Sequence, residues 1–406
     1  MRTIGVRMRA ATGPFTRSAL RGALRLLAPR VYGPVATERV RRILISGNMG
    51  IGNAVMFEPL LHALRERFPG AHLAVTVDAD APSRAIFGWP GLCDELIEVR
   101  GSSRPARVLA GLRLARQNWD LCVVRFNGAT HEVVVAAIFG RIPYRLGHVS
   151  SGRFSSGFDW LFNLPVAMGD SAHEVDRYLA MAEAVGHGPT RRAPRLAIPE
   201  AARTAAEHLA RELGLDPDRP RVAFQPGSSP LQQWKRWPVE HWRSLAAGLT
   251  AAGFEVLGLG SGNERDLLAV ICRDTGAINL AGACTLPVAA AILERCDHLV
   301  STDSALIHVA AAVGTPVIGI FGPTDRTRTR PYGAGHTLLV PAVCRGNREP
   351  CLAPSGILSP DCAWRDCMES IGPEQVLAAV RERVAAPVAG GAGPLPATRA
   401  ALGEAT

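Results

Sequence analysis

Lys235 is the one lysine of a 406-residue chain in which Lys and Arg together number 45. Where charge alone suffices this chain uses arginine, so a retained ammonium marks a place suited to a compact point charge rather than a planar fork. It stands in Gln225-Pro226-Gly227-Ser228-Ser229-Pro230-Leu231-Gln232-Gln233-Trp234-Lys235-Arg236-Trp237-Pro238. A Gly/Ser turn with a lysine reaching over it suits the phosphates of a nucleotide, because backbone N–H groups and an ammonium both meet the anion. The ordinary alternative is a surface lysine on a solvated loop. Further along, Ser301-Thr302-Asp303-Ser304-Ala305-Leu306-Ile307-His308 opens a helix, with Asp303 expected as its N-cap and Ser304 and His308 sharing one face at i and i+4. Gly319-Ile320-Phe321-Gly322-Pro323-Thr324-Asp325 adds a glycine turn at a second strand end. Together these hydroxyls, N–H donors and glycines predict an anion pocket at the carboxyl edge of a parallel sheet. Gly47-Asn48-Met49-Gly50-Ile51-Gly52 is a third turn. Its spacing is not that of the dinucleotide fingerprint, so a tight structural turn and a ligand loop both fit it.

The elements that must position these groups alternate. Apolar runs and amphipathic stretches predict a strand over 42–46, a helix over 53–68, strands over 72–77 and 96–99, a helix over 107–117, a strand over 121–125 and a helix over 132–139. After an Arg/Pro-rich linker at 188–194 the pattern restarts: strands at 222–224, 255–259, 298–300 and 316–320, with helices at 239–252, 264–273, 286–296 and 304–313. Such alternation builds α/β sheets of parallel strands with helices on both faces. A chain of this length exceeds the roughly 250–300 residues of one core, so two doubly wound halves with a ligand in the cleft between them are expected. The proposed division is a leader over 1–40, an N-terminal domain over 41–190, a C-terminal domain over 195–370, a terminal helix over 371–385 and a disordered tail over 386–406.

The first 42 residues hold ten arginines against Glu38 alone, which matches the whole formal net charge of +9. The remainder is balanced, so the basic chain does not predict a nucleic-acid partner. Leu20, Leu24, Leu26, Leu27 and Val31 alternate with those arginines. That pattern reads either as a basic helix lying on an anionic membrane surface or as a disordered leader. No apolar stretch is long enough to span a membrane. Cys93, Cys122, Cys272, Cys284 and Cys296 fall in periodic apolar segments, as reduced thiols of a cytoplasmic protein would. Cys344, Cys351, Cys362 and Cys367 lack the close pairs of a zinc site, and a local structural role is expected for them. Asp78-Ala79-Asp80 has a metal-binding form, but the same form recurs at Asp216-Pro217-Asp218, so no metal is assigned.

The stretches Gly50-Ile51-Gly52-Asn53-Ala54-Val55 with Glu58-Pro59-Leu60-Leu61, Lys235-Arg236-Trp237-Pro238-Val239-Glu240-His241-Trp242, Gly260-Ser261-Gly262-Asn263-Glu264, and Thr302 to His308 with Gly322-Pro323-Thr324-Asp325 run in a familiar order. Over about residues 42–384 the chain resembles the heptosyltransferases of bacterial lipopolysaccharide assembly, glycosyltransferase family nine. The resemblance implies a GT-B fold, with the acceptor on the N-terminal domain and an ADP-linked or other nucleotide-diphosphate sugar on the C-terminal one. It implies no cofactor. Gly227, Ser228, Lys235, Glu264, Thr302, Asp303, Ser304, Ala305, His308, Gly322, Pro323 and Thr324 would then form the donor site, with Lys235 on the phosphates and Glu264 on the ribose. Gly50 and Gly52 would lie near a lipid-linked or polysaccharide acceptor, in an N-terminal acceptor region that includes Arg125, Asn127, His131 and Arg145. Breaking a sugar–phosphate bond without a metal requires such cations and helix N-termini for the departing charge, and a general base on the opposite face would invert the sugar.

The chain departs from the family at Asn53, where heptosyltransferases carry the aspartate taken as the base. An amide cannot accept that proton. Glu58 or His62 on the same helix takes over, or Asn53 only orients the acceptor, or the activity is lost or changed. The expected function is an inverting, metal-independent glycosyl (heptosyl) transfer at the inner face of the cytoplasmic membrane. A sugar-nucleotide epimerase or hydrolase and an inert nucleotide-sugar-binding protein are the alternatives.

Overall fold

The computed structural model describes residues 34–126, 128, 130–149, 158–168, 172–341 and 366–385. The N-terminal leader up to residue 33, the tail from 386, Asn127, Cys344, Cys351 and Cys362 lie outside the described residues.

Two six-stranded sheets carry the fold. The first comprises β1 (Arg42–Ser46), β2 (His72–Asp78), β3 (Glu95–Val99), β4 (Leu121–Val124), β5 (Tyr144–Val149) and β6 (Leu164–Ala167), in the order β3-β2-β1-β4-β5-β6. The second comprises β7 (Arg221–Gln225), β8 (Glu255–Gly258), β9 (Ile278–Asn279), β10 (His298–Thr302), β11 (Val317–Ile320) and β12 (Thr337–Leu339), in the order β12-β11-β10-β7-β8-β9. All pairings are parallel. Both sheets thus reverse direction between their first and fourth strands, β1/β4 and β7/β10, and ligands of such sheets bind at the carboxyl end of that switch point. The central strands are apolar on both faces, as in Arg42-Ile43-Leu44-Ile45-Ser46, because helices cover each side.

Numbering the longer helices only, α1 is Ile51–Arg67, α2 Arg104–Leu114, α3 His131–Phe139, α4 Glu174–Ala184 and α5 Glu200–Glu212. They are followed by α6 (Val239–Ala251), α7 (Arg265–Cys272), α8 (Leu286–Glu294), α9 (Ala305–Ala312) and α10 (Pro373–Ala385). In α1, Val55, Phe57, Leu60, Leu61 and Leu64 are buried, and the helix stops before Pro69-Gly70. The second helix starts three residues before the expected 107, because Ser103 accepts a capping hydrogen bond from Ala106 N and Pro105 suits the first turn. Strands β5, β6, β9 and β12 and helices α4 and α5 were not expected from the sequence pattern. At 264–273 the structure has a short 3-10 turn, Gly262–Glu264, before α7.

The chain crosses from the first sheet to the second over 185–199, where Arg195 N donates to Glu58 Oε2 (3.1 Å) and Leu196 N to Ala312 O (3.1 Å). A second strap binds the loop after β11 to the start of α4. Arg328 Nε donates to Glu174 Oε1 (3.1 Å), Tyr332 OH to Asp176 Oδ1 (2.6 Å) and His173 Nε2 to Arg330 O (2.8 Å), the last because His173 Nδ1 already accepts from Val175 N. A single apolar core cluster accordingly runs through both halves.

Candidate functional site

The two switch points face each other. A Cβ placed on Gly52, at the start of α1, would stand 2.7 Å from His308 Cδ2 and 3.5 Å from Ala305 Cα, at the start of α9. The turn after β1 therefore meets the turn after β10, and Asn53 lies next to that contact. Neither Gly50 nor Ser304, the N-caps of α1 and α9, makes a side-chain capping bond. Both helices open toward the cleft with first-turn N–H groups that their own caps leave unsatisfied, and both present the positive end of the helix dipole.

On the C-terminal side, Lys235 ends a 3-10 turn, Pro230–Lys235, and its Nζ lies 2.8 Å from Asp303 Oδ2. Both side chains are about nine-tenths shielded, at 12% and 9% exposure. Trp234 lies beside the ammonium, 5.5 Å from ring centre to Nζ. The expected N-cap role of Asp303 is corrected: Ser304 occupies the cap position, because the Asp303 carboxylate is drawn to Lys235. Ser304 Oγ instead meets Ser301 Oγ at 2.9 Å, and Ser301 reaches Gln225 Oε1 at 3.0 Å. Thr302 Oγ1 and Thr324 Oγ1 are buried and have no partner among the described residues. Buried hydroxyls are ordinarily satisfied, so two unpaired ones at the ends of β10 and of the turn after β11 are donors free for an acceptor.

Glu264 sits against the first turn of this half. A Cβ on Gly227 would fall 1.2 Å from Glu264 Oε1, so only glycine admits the carboxylate there. Its Oε1 accepts from Gln225 Nε2 (3.2 Å) and its Oε2 from Ser261 N (2.7 Å), which fixes it at the sheet edge. Ser228 is held by Arg236, whose Nε donates to its Oγ at 3.2 Å. Gly322 packs under the short helix Asp366–Glu369: a Cβ there would meet Met368 Sδ at 2.3 Å and Cys367 Sγ at 3.2 Å. Pro323 follows in the same turn, beside Thr324. His308 is buried against Gly52, and burial, with the charges of His173, Lys235 and His336, pushes its pKa down to about 3. It is a neutral imidazole at physiological pH.

The N-terminal side differs from expectation. Glu58 is fully buried, and its Oε2 takes Arg195 N of the crossing segment. His62 Nε2 approaches Glu58 Oε1 at 2.8 Å, but the contact lacks hydrogen-bond alignment. Five and nine residues beyond Asn53 correspond to about 140° and 180° around the helix. The structure therefore does not bring Glu58 or His62 to Asn53. The carboxylate tied to the glycine turn is Asp78, at the end of β2, whose N donates to Asn48 Oδ1 (2.6 Å). Arg107 bridges Asp78 Oδ2 (2.7 Å) and Glu132 Oε2 (3.1 Å), leaving Asp78 Oδ1 and Glu132 Oε1 without partners among the described residues. Asp80 does not join Asp78 in a metal site: no group of three His, Cys, Asp or Glu side chains is placed to hold an ion among the described residues. Asp216 and Asp218 form a turn, with Asp218 N on Asp216 Oδ1 at 3.0 Å. Arg145, at 4% exposure, serves the interior, its Nε on Leu161 O (2.7 Å). Arg125 Nη2 donates to Asn48 O (3.1 Å), and His131 begins α3.

Two parallel six-stranded sheets whose switch points face each other across a cleft make up a GT-B fold. The model of glycosyltransferase family 9 (heptosyltransferase) matches residues 112–350, and the chain belongs to that family. It is 28% identical over 309 residues to lipopolysaccharide heptosyltransferase 2 of Escherichia coli K12, covering 71% of this chain and 85% of that protein. Among solved structures it is similar to the E. coli ADP-heptose lipopolysaccharide heptosyltransferase II (TM-score 0.67, 23% identity, 85% of this chain and 99% of that one). It is likewise similar to the family 9 glycosyltransferase of Veillonella parvula (TM-score 0.71, 21% identity, 86% and 99% covered).

Proposed function

We propose that this chain transfers heptose from an ADP-linked donor to a lipopolysaccharide-type, lipid-linked acceptor, with inversion and without a metal, at the inner face of the cytoplasmic membrane. The observation that carries the reading is the buried Lys235–Asp303 pair at a switch point opposite Gly52 and Asn53, with the Thr302 and Thr324 hydroxyls of the same sheet edge unpartnered among the described residues. The relatives named for ADP-heptose and lipopolysaccharide support the choice of sugar and acceptor. In this reading residues 195–370 hold the donor and residues 41–190 the acceptor.

The departing diphosphate gathers negative charge as the glycosidic bond breaks. Lys235, the open first turn of α9 and the threonine hydroxyls stabilise that charge, which is the work a metal does in other transferases. Glu264 accepts the ribose hydroxyls, its orientation fixed by Ser261 and Gln225. Ser228, Ser304, Ala305, Gly322 and Pro323 shape the phosphate and sugar contacts. Asn53 orients the acceptor hydroxyl, and Asp78, held at one oxygen by Arg107, takes its proton directly or through one water. Glu58 ties α1 to the crossing segment through Arg195 N.

Thermal-shift measurements against ADP-, UDP-, GDP- and dTDP-sugars test the donor. A ligand at a hundred times its dissociation constant adds about 2.7 kcal/mol of stability. No shift with any of them refutes the reading. Asn53 favours a second reading, a binder that does not turn over. ADP release that depends on acceptor decides between them, and release without acceptor identifies a hydrolase. Asp78→Asn is expected to abolish transfer while Glu58→Gln and His62→Ala retain it; the reverse outcome returns the base to α1.

A further inference from the structure

Helix α2 has two distinct faces. The inner one packs on α3: a Cβ on Gly111 would stand 2.6 Å from Val135 Cβ, Leu114 is buried, and Arg107 turns in to Asp78 and Glu132. The outer face carries Val108, Leu109 and Leu112, exposed by 39%, 51% and 37%. Phe139, exposed by 57%, ends α3 close by, since a Cβ on the adjoining Gly140 would lie 3.1 Å from Ala115 Cα at the end of α2. Helical spacing sets Arg104, Val108, Leu112 and Arg116 in one row and Pro105, Leu109, Arg113 and Gln117 in the next. Apolar side chains thus fill the middle of the face and arginines its ends. Arg104, Arg113 and Arg116 are exposed, as are Arg100 before the helix and Arg141 beyond α3, and no acidic residue occurs between Glu98 and Asp120.

We propose that this face docks on an anionic lipid bilayer, with Val108, Leu109, Leu112 and Phe139 entering the headgroup boundary and the flanking arginines meeting lipid phosphates. An apolar centre ringed by cations is the pattern that combines buried area with attraction to an anionic leaflet. The chain's own leader does not fit as occupant, because its eight arginines against one acid repel a cationic face. The placement also suits the reaction. The N-terminal half of α2 lies at the carboxyl edge of the sheet, where Arg107 reaches Asp78 beside the glycine turn, so docking brings the acceptor side of the cleft to the lipid surface. That purpose rests on the proposed lipid-linked acceptor, whereas the binding itself does not.

Flotation of the full chain with phosphatidylcholine vesicles, with and without phosphatidylglycerol, tests it. The wild type is expected to float with the anionic vesicles and far less with the neutral ones. Leu109→Glu with Leu112→Glu should lower partition at least about tenfold, and Arg113→Gln with Arg116→Gln about fivefold per arginine. Donor-induced thermal shifts should be unchanged in both, so a failed donor assay and failed docking are separate results. A wild type that does not float, or variants that float equally because the leader or another surface holds the chain, would overturn the proposal. If the glutamate variant melts early, the arginine pair decides alone.

Discussion

Gly52→Ala probes the contact on which the cleft depends. The added methyl would stand 2.7 Å from His308 Cδ2, about 0.7 Å inside ordinary carbon contact. His308 cannot swing into solvent, because it is buried at 5% exposure. Either the imidazole leaves its rotamer or the edges of the two sheets move apart by a similar distance. Overpacking of this kind costs about 1–3 kcal/mol, and displacing reacting groups by a large fraction of 1 Å costs on the order of 10–100-fold in rate. In the proposed reading the donor rests mainly on the C-terminal side, so kcat should fall more than donor affinity. Denaturant unfolding, steady-state turnover and donor titration measure the three quantities. His308→Ala makes room for the methyl, so Gly52→Ala and His308→Ala should be non-additive in stability, with coupling of about 1 kcal/mol or more. Wild-type stability and turnover in Gly52→Ala, or strict additivity in the double variant, would refute the argument.

Lys235→Met should weaken donor binding about 10–100-fold, the range of a charge-assisted hydrogen bond, and adding Asp303→Asn should recover stability but not affinity, as read by titration and melting. Burial holds the folded-state pKa of His308 at about 3 and of His336 at about 4, against 6.5 ordinarily. Both therefore take up protons on unfolding, so stability is complete above about pH 6.5 and is lost as pH falls toward the folded values, by about 1.4 kcal/mol per pH unit for each histidine. Denaturant unfolding near pH 5 should show roughly 3–4 kcal/mol less stability than near pH 7, and His308→Gln should remove about half of the difference. Arg328→Gln leaves Glu174 with Arg177 alone and should cost about 1–3 kcal/mol, with a rise in protease sensitivity at the 185–199 crossing.

The turns proposed for the donor could be picked out because their residues are local: glycines, hydroxyls and a lone lysine sit within a few residues of each other, and each strand–turn–helix unit declares its own edge. What the sequence hid were pairings made across long separations. Asp303 reads as an N-cap in its own segment, yet its carboxylate goes to Lys235, 68 residues away. Glu58 reads as a free carboxylate one turn beyond Asn53, yet it is claimed by Arg195, 137 residues away. The glycine at 52 suggested backbone freedom, whereas the structure requires it to admit a side chain of the other sheet. Strands β9 and β12, two and three residues long, are too short to show an alternating pattern, and β6 places Pro165 at a sheet edge, where a missing N–H is tolerated.

The repetition of one strand order in both sheets explains why the chemistry divides unequally between them. Each sheet supplies a switch point and an uncapped helix start, so both lips of the cleft are positive before any side chain is counted. On the C-terminal lip Lys235 adds to that field and Asp303 balances it, and in the proposed reading a diphosphate competes for the ammonium. On the N-terminal lip a carboxylate at position 53 would sit in the first turn of α1, where the helix dipole stabilises its charged form and lowers its basicity. In the proposed reading Asn53 leaves that turn free to orient an acceptor oxygen and the proton passes to Asp78, which ends a strand, is fixed by Arg107 at one oxygen, and reaches the glycine turn through Asn48. Replacing the family's aspartate by asparagine therefore need not silence the enzyme, provided the Asp78–Arg107–Glu132 bridge keeps its geometry while α2 docks.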